Sequence, residues 1–406
     1  MMRAGPGLPA PARPGGQAPQ LRPVEKPAET IPLMRPSLPT VDRLLPYLEQ
    51  IDANRWYTNA GPLEAEFRHR LAGLMGRVES DIVPVSSGTM ALQIALRAEA
   101  LTGRRKCLMP AWTFAATPLA AMGAGLEPHF VDVDAASWTL SPEEILGRDD
   151  LGDVAAIVVV APFGAPPDLH AWARVMTTTG IPVVVDAAAS FDAVARLPAD
   201  AGSHLPLIVS LHATKSLGIG EGGLIVSGDP ARTARYNRYR NFGFEQMAVS
   251  TVAGTNAKLS EYHAAVGLAA LDDWPRKREQ FLMVRQRYGD NLEAVTGVDL
   301  MPGSSSAWIA GSLNVVTPRP AEEIISLLAD SGIEARRWWG SGCHTHPAFD
   351  DVPRDPLPLT DDLASRVVGV PLSVDMRLTE VDRVCDALAS ICARQAAAHS
   401  APLHVK

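Results

Sequence analysis

This sequence of 406 residues contains little cysteine, and its cysteines form no pattern that would bind a metal. The four thiols show neither a C-x-x-C pair nor a zinc-site spacing. They are Cys107, Cys343, Cys385 and Cys392. The last two are seven residues apart in a helical apolar pattern, so we expect them to face the core. Unpaired thiols are typical of a reducing compartment, and they predict a cytoplasmic protein.

Long apolar runs and basic clusters are missing as well. No stretch approaches the roughly 18 apolar residues that a membrane-spanning helix requires. The net charge is −8, and without a basic cluster nothing favours nucleic-acid binding. Residues 1–30 are rich in Pro, Gly, Ala and Arg and have no hydrophobic core region, so we expect a disordered leader and not a signal peptide. The remaining length suffices for two domains.

What the sequence does contain is a lysine, Lys215, between two apolar segments. The stretch SLHATKSLGIGEGG (210–223) holds this lysine and connects the apolar runs 205–209 and 224–226. Burial between strands favours the neutral amine, which is the form that makes a Schiff base with a carbonyl. The nearby glycines leave room for a flat cofactor beside the backbone. The alternative is an ordinary lysine in an exposed loop.

An acid, Asp186, ends another apolar run about thirty residues earlier in the chain. The run 181–185 favours a strand, and four small residues follow the acid at 187–190. An acid at the carboxyl end of a parallel strand lies where α/β sheets bind ligands. Pyridoxal phosphate requires such an acid to keep its ring nitrogen protonated. The alternative for Asp186 is a helix N-cap, with residues 187–189 opening the helix.

A third motif, VSSGTMALQIALRA (85–98), joins a short strand to a helical apolar pattern. The N-terminus of a helix presents free N–H groups and the positive end of a dipole, so it can bind a phosphate. Ordinary helix capping is the alternative for Ser87, Gly88 and Thr89. The motifs follow one another as phosphate site, acid and lysine, and this order favours a site for pyridoxal phosphate.

With PAWTFAAT (110–117) and GTNAKLSEYHAA (254–265), these motifs resemble the DegT/DnrJ family of sugar aminotransferases. The resemblance runs from about Arg35 to about Leu388 and is most specific in H-x-x-K-x-x-x-x-G-E-G-G at 212–223. It implies an α/β fold of the pyridoxal-phosphate-dependent fold type I, with a mostly parallel sheet in a large domain and a smaller α+β C-terminal domain. It also implies amino transfer from glutamate or glutamine to a keto sugar, nucleotide-linked, or to a keto cyclitol.

The resemblance further implies a role for each matching residue. Lys215 would bind the cofactor and move protons, and Asp186 would pair with the pyridine nitrogen. Phe114 would stack on the ring, with plain core packing as its alternative. The phosphate would be held by backbone amides and polar side chains, namely those of Gly88, Thr89, Met90, Ser210 and, from the neighbouring subunit of a homodimer, Asn256. The alternative for Asn256 is the N-cap of the helix that follows.

Two positions depart from the family pattern. Ala189 stands where the family has Gln or His near the cofactor's 3-oxygen, which leaves Ser190, His212 or a water to replace that side chain. Lys258 replaces an arginine, so a bidentate contact is lost there. Anionic sugar nucleotides need local cations, and three arginines are available for this, each with a solvated surface charge as its alternative: Arg240, Arg336 and Arg337.

Apolar strands alternate with helical stretches from about Val41 to Leu271, which predicts the mostly parallel sheet. A separate charged helix, Asp272 to Leu292, would lead to the small domain, which would contain a strand near Leu313 and helices at 321–331 and from Thr379. We therefore expect a leader at 1–30, a cofactor domain at 31–285 and a small domain at 286–406. Two other functions remain open, a sugar dehydratase, in which histidine would stand at the lysine position, and a non-catalytic sensor on the same fold.

Overall fold

The fold was obtained as a computed structural model, which describes residues 30–198, 201, 204–246, 248–304 and 308–399. Apart from Thr30, the predicted leader lies outside these residues. The α-helices are α1 (Val41–Asn54), α2 (Pro62–Leu74), α3 (Gly88–Glu99), α4 (Ala116–Gly123), α5 (Pro142–Leu146), α6 (Leu169–Thr179), α7 (Phe191–Ala195), α8 (Pro230–Arg240), α9 (Glu261–Leu292), α10 (Ala321–Asp330), α11 (Pro358–Arg366) and α12 (Leu378–His399). Short 3₁₀ turns occur at Glu79–Asp81, Leu151–Asp153, Pro162–Gly164, Cys343–Thr345 and Pro347–Phe349.

The strands form one large sheet and two small ones among the described residues. They are β1 (Ile82–Val85), β2 (Lys106–Pro110), β3 (Glu127–Val131), β4 (Val154–Val160), β5 (Val183–Asp186), β6 (Leu207–Ser210), β7 (Gly223–Val226), β8 (Phe244–Gln246), β9 (Val249–Ser250), β10 (Asp299–Leu300), β11 (Leu313–Val316) and β12 (Val367–Val370). The large sheet has the order β1-β7-β6-β5-β4-β2-β3. Its neighbours run parallel except at β7, which is antiparallel to both β1 and β6. The predicted mostly parallel α/β fold is confirmed.

The large sheet is buried on both faces, which explains its continuous apolar strands. All seven residues of β4 are buried. Successive side chains of a strand point to opposite faces, so Ile157 and Val159 belong to one apolar cluster while Val158 and Val160 belong to another. Helices cover both faces and leave the strand ends for polar residues.

The carboxyl ends of three strands and the start of β7 meet at one edge of this sheet. Gly223, the first residue of β7, pairs with Val85 at the end of β1 and with Ser210 at the end of β6. Asp186 ends the adjacent strand β5, which runs parallel to β6. The antiparallel direction of β7 therefore brings the segment 211–222 back over the same edge where the acid and the start of α3 lie.

The C-terminal part contains an antiparallel sheet of β10, β11 and β12. The strand expected near Leu313 and the helices expected at 321–331 and from Thr379 are confirmed as β11, α10 and α12. The separate helix expected at 272–292 is wrong in its start, because α9 continues without a break from Glu261 to Leu292. The helix passes through Pro275, and its buried side packs on α1, α2 and α12. The predicted division at 285–286 falls inside this helix and stays a prediction.

All four cysteines are free and buried, so the core-facing position expected of Cys385 and Cys392 is confirmed. Burial raises the pKa of Cys107 and of Cys343 to about 12, which keeps both thiols protonated at neutral pH. Within the described part of the chain, no helix combines the length and apolar character needed to cross a membrane. Nor do the described residues include a cluster of three or more His, Cys, Asp or Glu side chains placed to hold a metal ion.

Candidate active site

Asp186 is a buried carboxylate at the end of β5, with 8% of its surface exposed. Its Oδ2 accepts a hydrogen bond from Thr117 Oγ1 at 2.8 Å, and its Oδ1 accepts one from the Ala188 N–H at 3.2 Å. Burial raises the pKa of Asp186, and these two hydrogen bonds together with the charge of Lys215 oppose the rise. The N-cap alternative is wrong, because α7 begins only at Phe191 and its N-cap is Ser190.

Lys215 lies in the connection between β6 and β7, close enough to Asp186 for the two charges to interact. Backbone hydrogen bonds tie this connection down, including those from Lys215 N to His212 O and from Ala213 N to Gly220 O, both 2.8 Å long. Burial lowers the pKa of Lys215, and the Asp186 carboxylate opposes this shift. Lys215 is half-buried, so the exposed-loop alternative is wrong, and the lowered pKa favours the neutral amine that reacts with a carbonyl.

The N-terminus of α3 and the end of β6 form a narrow cradle. A Cβ atom on Gly88 would lie 2.8 Å from Ser210 Cβ, and one on Gly223 would lie 2.5 Å from Ser87 O, so only glycine allows these backbones to approach. Ser87 is the N-cap of α3, and its Oγ accepts from the Met90 N–H at 3.2 Å. The Met90 amide is thus already engaged within the chain.

The amides of Gly88 and Thr89, at the first two positions of α3, have no acceptor among the residues that the structure describes. The Ser210 hydroxyl adjoins them through the contact with Gly88, and it accepts from the His212 N–H at 3.3 Å. Two free amides, a hydroxyl and the positive end of the α3 dipole suit a phosphate group. The binding of a phosphate by these residues remains a prediction.

Phe114 follows β2 with 61% of its surface exposed, whereas its neighbours Trp112 and Thr113 are buried. Core packing, the alternative for this residue, is therefore wrong. Thr113 is connected to Asp186 through Thr117, because its Oγ1 lies 2.7 Å from Thr117 Oγ1. Since Thr117 gives its only hydroxyl proton to Asp186, Thr113 must be the donor in this pair. Thr117 was not identified from the sequence. Its spacing of four residues from Thr113 in PAWTFAAT could have indicated that the two hydroxyls lie on the same side of the chain.

Asn256 is exposed, and it is not the N-cap of the following helix, because Ser260 takes that position with its Oγ accepting from the His263 N–H. The neighbouring residue, Ala257, accepts a 2.9 Å hydrogen bond from the Ser86 N–H, at the start of the cradle motif. Lys258, which replaces the family arginine, donates to Asn241 Oδ1 at 3.0 Å and lies 4.5 Å from the Phe242 ring centroid. A single donor contact with a cation–π contact thus occupies that position.

No replacement for the missing side chain at Ala189 is evident in the chain's own hydrogen bonds. Ser190 Oγ is buried without a partner among the described residues. The His212 Nδ1 atom lies 2.8 Å from Thr214 Oγ1, and its Nε2 lies 3.7 Å from Glu221 Oε1. His212 is thus engaged within its own loop, and the three candidates named above remain open.

The arginines expected to serve anionic substrates differ in availability. Arg240 is buried, and its Nη1 donates to Glu64 Oε1 at 2.7 Å and to Pro84 O, so Arg240 is neither available to a substrate nor a solvated surface charge. Arg337 pairs with Glu322. Arg336 is exposed, and its guanidinium carbon lies 4.8 Å from the Trp338 ring centroid. Arg336 is therefore the one of these three that keeps an exposed cation.

The residues present fit pyridoxal phosphate by their chemistry. Asp186 supplies a buried anion for a ring nitrogen, Lys215 supplies a poorly solvated amine, and Phe114 supplies an exposed aromatic face. The cradle supplies anion-binding amides beside a hydroxyl. These are the four kinds of contact that the cofactor requires.

Comparison with known proteins gives the same indication. A family model described as the DegT/DnrJ/EryC1/StrS aminotransferase family matches residues 40–389. Protein Rv3402c of Mycobacterium tuberculosis is 32% identical over 392 residues, which cover 93% of this chain and 94% of that protein. The dTDP-4-amino-4,6-dideoxy-D-glucose transaminase of Escherichia coli is 26% identical over 369 residues, covering 86% and 95%. The crystal structure of DesI with its TDP-sugar product matches with a TM-score of 0.81 at 30% identity, covering 91% and 95% of the two chains.

Proposed function

We propose specific roles for the residues of this chain, which belongs to the DegT/DnrJ/EryC1/StrS aminotransferase family and is a pyridoxal-phosphate-dependent sugar aminotransferase. The amino group would come from glutamate or glutamine. The acceptor would be a keto sugar carried on a nucleotide, in keeping with the TDP-sugar in the DesI structure, or a keto cyclitol. A dehydratase or a non-catalytic sensor is not favoured. With four buried free thiols, we also assign the protein to the cytoplasm.

When bound, pyridoxal phosphate supplies a carbonyl carbon for the amine and a ring that withdraws electrons from the reacting carbon. Lys215 Nζ would attach the cofactor. Once released by the amino donor, the amine would take a proton from the substrate carbon and deliver it to the carbon of the cofactor that had held the lysine. Asp186 would hold the ring nitrogen protonated, and Phe114 would cover the ring face. The amides of Gly88 and Thr89, with Ser210 Oγ, would hold the phosphate.

The observation that carries this proposal is the interaction of a buried acid, Asp186, with a half-buried amine, Lys215, whose pKa values shift in opposite directions. Burial raises the pKa of Asp186 and lowers the pKa of Lys215, and the charge of each opposes the shift of the other. In such a pair, Asp186 can provide the negative charge that holds the ring nitrogen protonated, and Lys215 can transfer protons.

The absorption spectrum of the purified protein tests the proposal. Added glutamate or glutamine should bleach the band of the bound cofactor, and the correct keto substrate should restore it. The substrate that restores the band identifies the acceptor. A spectrum that does not respond to any amino donor would contradict the proposed amino transfer.

Replacing Thr117 by Val should move the acid limb of the activity profile to higher pH. The hydrogen bond from Thr117 lowers the pKa of Asp186 against the effect of burial, so its loss raises that pKa further. The carboxylate is the form required, and activity is therefore lost at a higher pH than in the unaltered protein. The measurement is kcat/KM as a function of pH.

Thr177→Val is the matched control, because Thr177 donates to Ala173 O within α6, whereas the hydroxyl that donates to Asp186 belongs to Thr117. Thr113→Val should give a smaller shift in the same direction, since Thr113 reaches Asp186 only through Thr117. Identical profiles for Thr117→Val and Thr177→Val would show that the hydrogen bond does not tune the acid.

We further propose that the active unit is a homodimer in which Asn256 completes the site of the neighbouring subunit. Large aromatic side chains are exposed nearby in sequence, with Phe242 at 44% and Tyr262 at 48%. Exposed apolar side chains of this size support a protein interface. In a two-fold dimer the contact is reciprocal, so each chain would supply Asn256 to the other.

Mixing two inactive variants tests the shared site. Lys215→Ala and Asn256→Ala, exchanged at equal concentrations, should recover about a quarter of the unaltered activity, because half of the dimers are mixed and each has one intact site. The measurement is turnover after exchange, with each variant alone as the control. Absence of recovery, despite mixed dimers seen by mass spectrometry, would place Asn256 in its own chain's site or outside the site.

A further inference from the structure

A short segment, residues 308–311, packs against the backbone on two sides of the site. A Cβ atom on Gly311 would lie 2.6 Å from Thr214 O and 3.3 Å from the Lys215 carbonyl carbon. A Cβ atom on Gly164 would lie 2.8 Å from Ala310 Cβ and 2.9 Å from Ala189 O. The 308–311 segment therefore adjoins the lysine loop at one end and, across Gly164, the residues that follow the acid at the other.

Arg285 of α9 holds the start of this segment. Its Nη1 donates to Trp308 O at 2.7 Å, and its Nη2 donates to Ser304 O at 3.1 Å. The guanidinium carbon also lies 4.6 Å from the centroid of the Trp308 ring. The side chain is buried, and burial lowers the pKa of Arg285 to about 10, so the guanidinium stays charged at neutral pH.

Asp192 of α7 holds the next residue of the segment from the other direction. Its Oδ2 accepts from the Ile309 N–H at 3.0 Å, and its Oδ1 accepts from Arg278 Nε at 2.7 Å. Only 1% of Asp192 is exposed. Because Asp192 lies six residues after Asp186, it connects the 308–311 segment to the stretch of chain that carries the acid.

Burying a charged side chain is unfavourable unless its hydrogen bonds compensate for lost water. For Arg285 the compensating groups are carbonyls at 304 and 308, and for Asp192 they include the amide at 309. The directional hydrogen bonds of two buried charges thus constrain successive residues of one segment. A displacement of that segment would break them, leaving the Arg285 guanidinium without its two carbonyl acceptors and Asp192 Oδ2 without the Ile309 N–H, while the Asp192–Arg278 ion pair would remain.

We propose that Arg285 and Asp192 are positioning residues, which fix the 308–311 segment and through it the placement of the Lys215 loop relative to the chain around Asp186 and Ala189. The inference rests on the proposed role of Lys215 in holding the cofactor. The inference explains how Lys215 is held in place, because Gly311 lies against the backbone of Thr214 and Lys215.

Arg285→Met and Arg285→Lys test the inference, with Arg287→Met as the matched control on the same helix. Arg287 is exposed and pairs with Asp382, away from the segment. Hydrogen exchange of the backbone amides of residues 308–313 is measured first, in the protein without cofactor. We expect faster exchange in Arg285→Met, an intermediate rate in Arg285→Lys and no change in Arg287→Met, because lysine can donate to a carbonyl but cannot form the planar two-carbonyl contact.

The same variants loaded with pyridoxal phosphate provide the second readout. Misplacement of Lys215 should lower kcat by about 100-fold in Arg285→Met, with a smaller change in KM, and it should shift the pH titration of the bound cofactor's absorption. Arg285→Lys, whose milder change preserves the fold, should recover part of both. Faster exchange with unaltered kcat and spectrum would overturn the inference, as would equal effects of Arg285→Met and Arg287→Met.

The exchange measurement does not depend on the cofactor, so it separates this inference from the proposed function. If borohydride labelling places the cofactor on another lysine while amide exchange at 308–313 is still faster in Arg285→Met, the assignment of Lys215 fails and the role of Arg285 in holding the 308–311 segment stands. If Lys215 is labelled and the segment does not open, the positioning role is excluded.

Discussion

Replacing Lys215 by Ala should abolish turnover while leaving the protein folded and able to bind pyridoxal phosphate. The cradle of Gly88, Thr89 and Ser210 and the acid Asp186 lie on other segments, so cofactor binding does not depend on the amine alone. The amine that attaches the cofactor and moves the proton would be lost, and we expect a decrease in kcat of at least about 10⁴-fold. Single-turnover rates with glutamate measure this decrease.

Covalent labelling identifies the lysine directly. Borohydride reduction of the loaded protein should fix the cofactor to the peptide that contains Lys215, because this lysine combines a lowered pKa with an interaction with the Asp186 carboxylate. Lys106→Ala is the control, since Lys106 pairs with Asp150 and Asp153 at the start of β2. A label on Lys258 or Lys277, whose pKa values burial also lowers, would refute the assignment.

Replacing Asp186 by Asn should preserve cofactor binding and reduce activity by about 100- to 1,000-fold, the range seen when one preorganised electrostatic partner is removed. An amide has nearly the size of the carboxylate and can still accept from the Ala188 N–H, so the local fold is retained. It carries no charge, and it therefore cannot keep the ring nitrogen protonated. The measurements are kcat and cofactor content.

The pH profile distinguishes this electrostatic effect from a local distortion. Because burial raises the pKa of Asp186, the unaltered protein should gain activity with rising pH as the acid ionises, at a higher pH than for an exposed aspartate. In Asp186→Asn this limb should be absent. Asp153→Asn, a change at a largely exposed residue, is the control. Unaltered rates in Asp186→Asn would show that the carboxylate has no role in the chemistry.

Both predictions concern residues that the sequence could identify, because the signal for each is local. Strong apolar runs before Lys215 and after it predict buried strands, and a lysine or an acid at the end of such a strand is rare enough to notice. The sheet confirms this placement, since the carboxyl ends of parallel strands meet at one edge. The free cysteines of the last helix followed in the same way from a helical period.

A single polar residue could be interpreted in more than one way from the sequence. Asp186 and Asn256 each had an N-cap as the alternative, and the helices begin elsewhere, with Ser190 and Ser260 at their N-caps. Arg240 was one of three arginines available for an anionic substrate or for a solvated surface, yet it is buried against Glu64, which is 176 residues away in the chain. A contact between residues so far apart in the chain cannot be predicted from periodicity or composition.

By itself, the sequence determined the class of fold and the family, and it identified the acid and the lysine for which we propose the catalytic roles, because apolar periodicity and short motifs are patterns of neighbouring residues. Only the tertiary structure decided which groups surround them. Thr117 reaches Asp186 across 69 positions, and Arg285 and Asp192, on two different helices, both bind the 308–311 segment. These contacts arise when strands and helices pack side by side, since packing joins residues whose separation along the chain is set by the topology and not by local pattern.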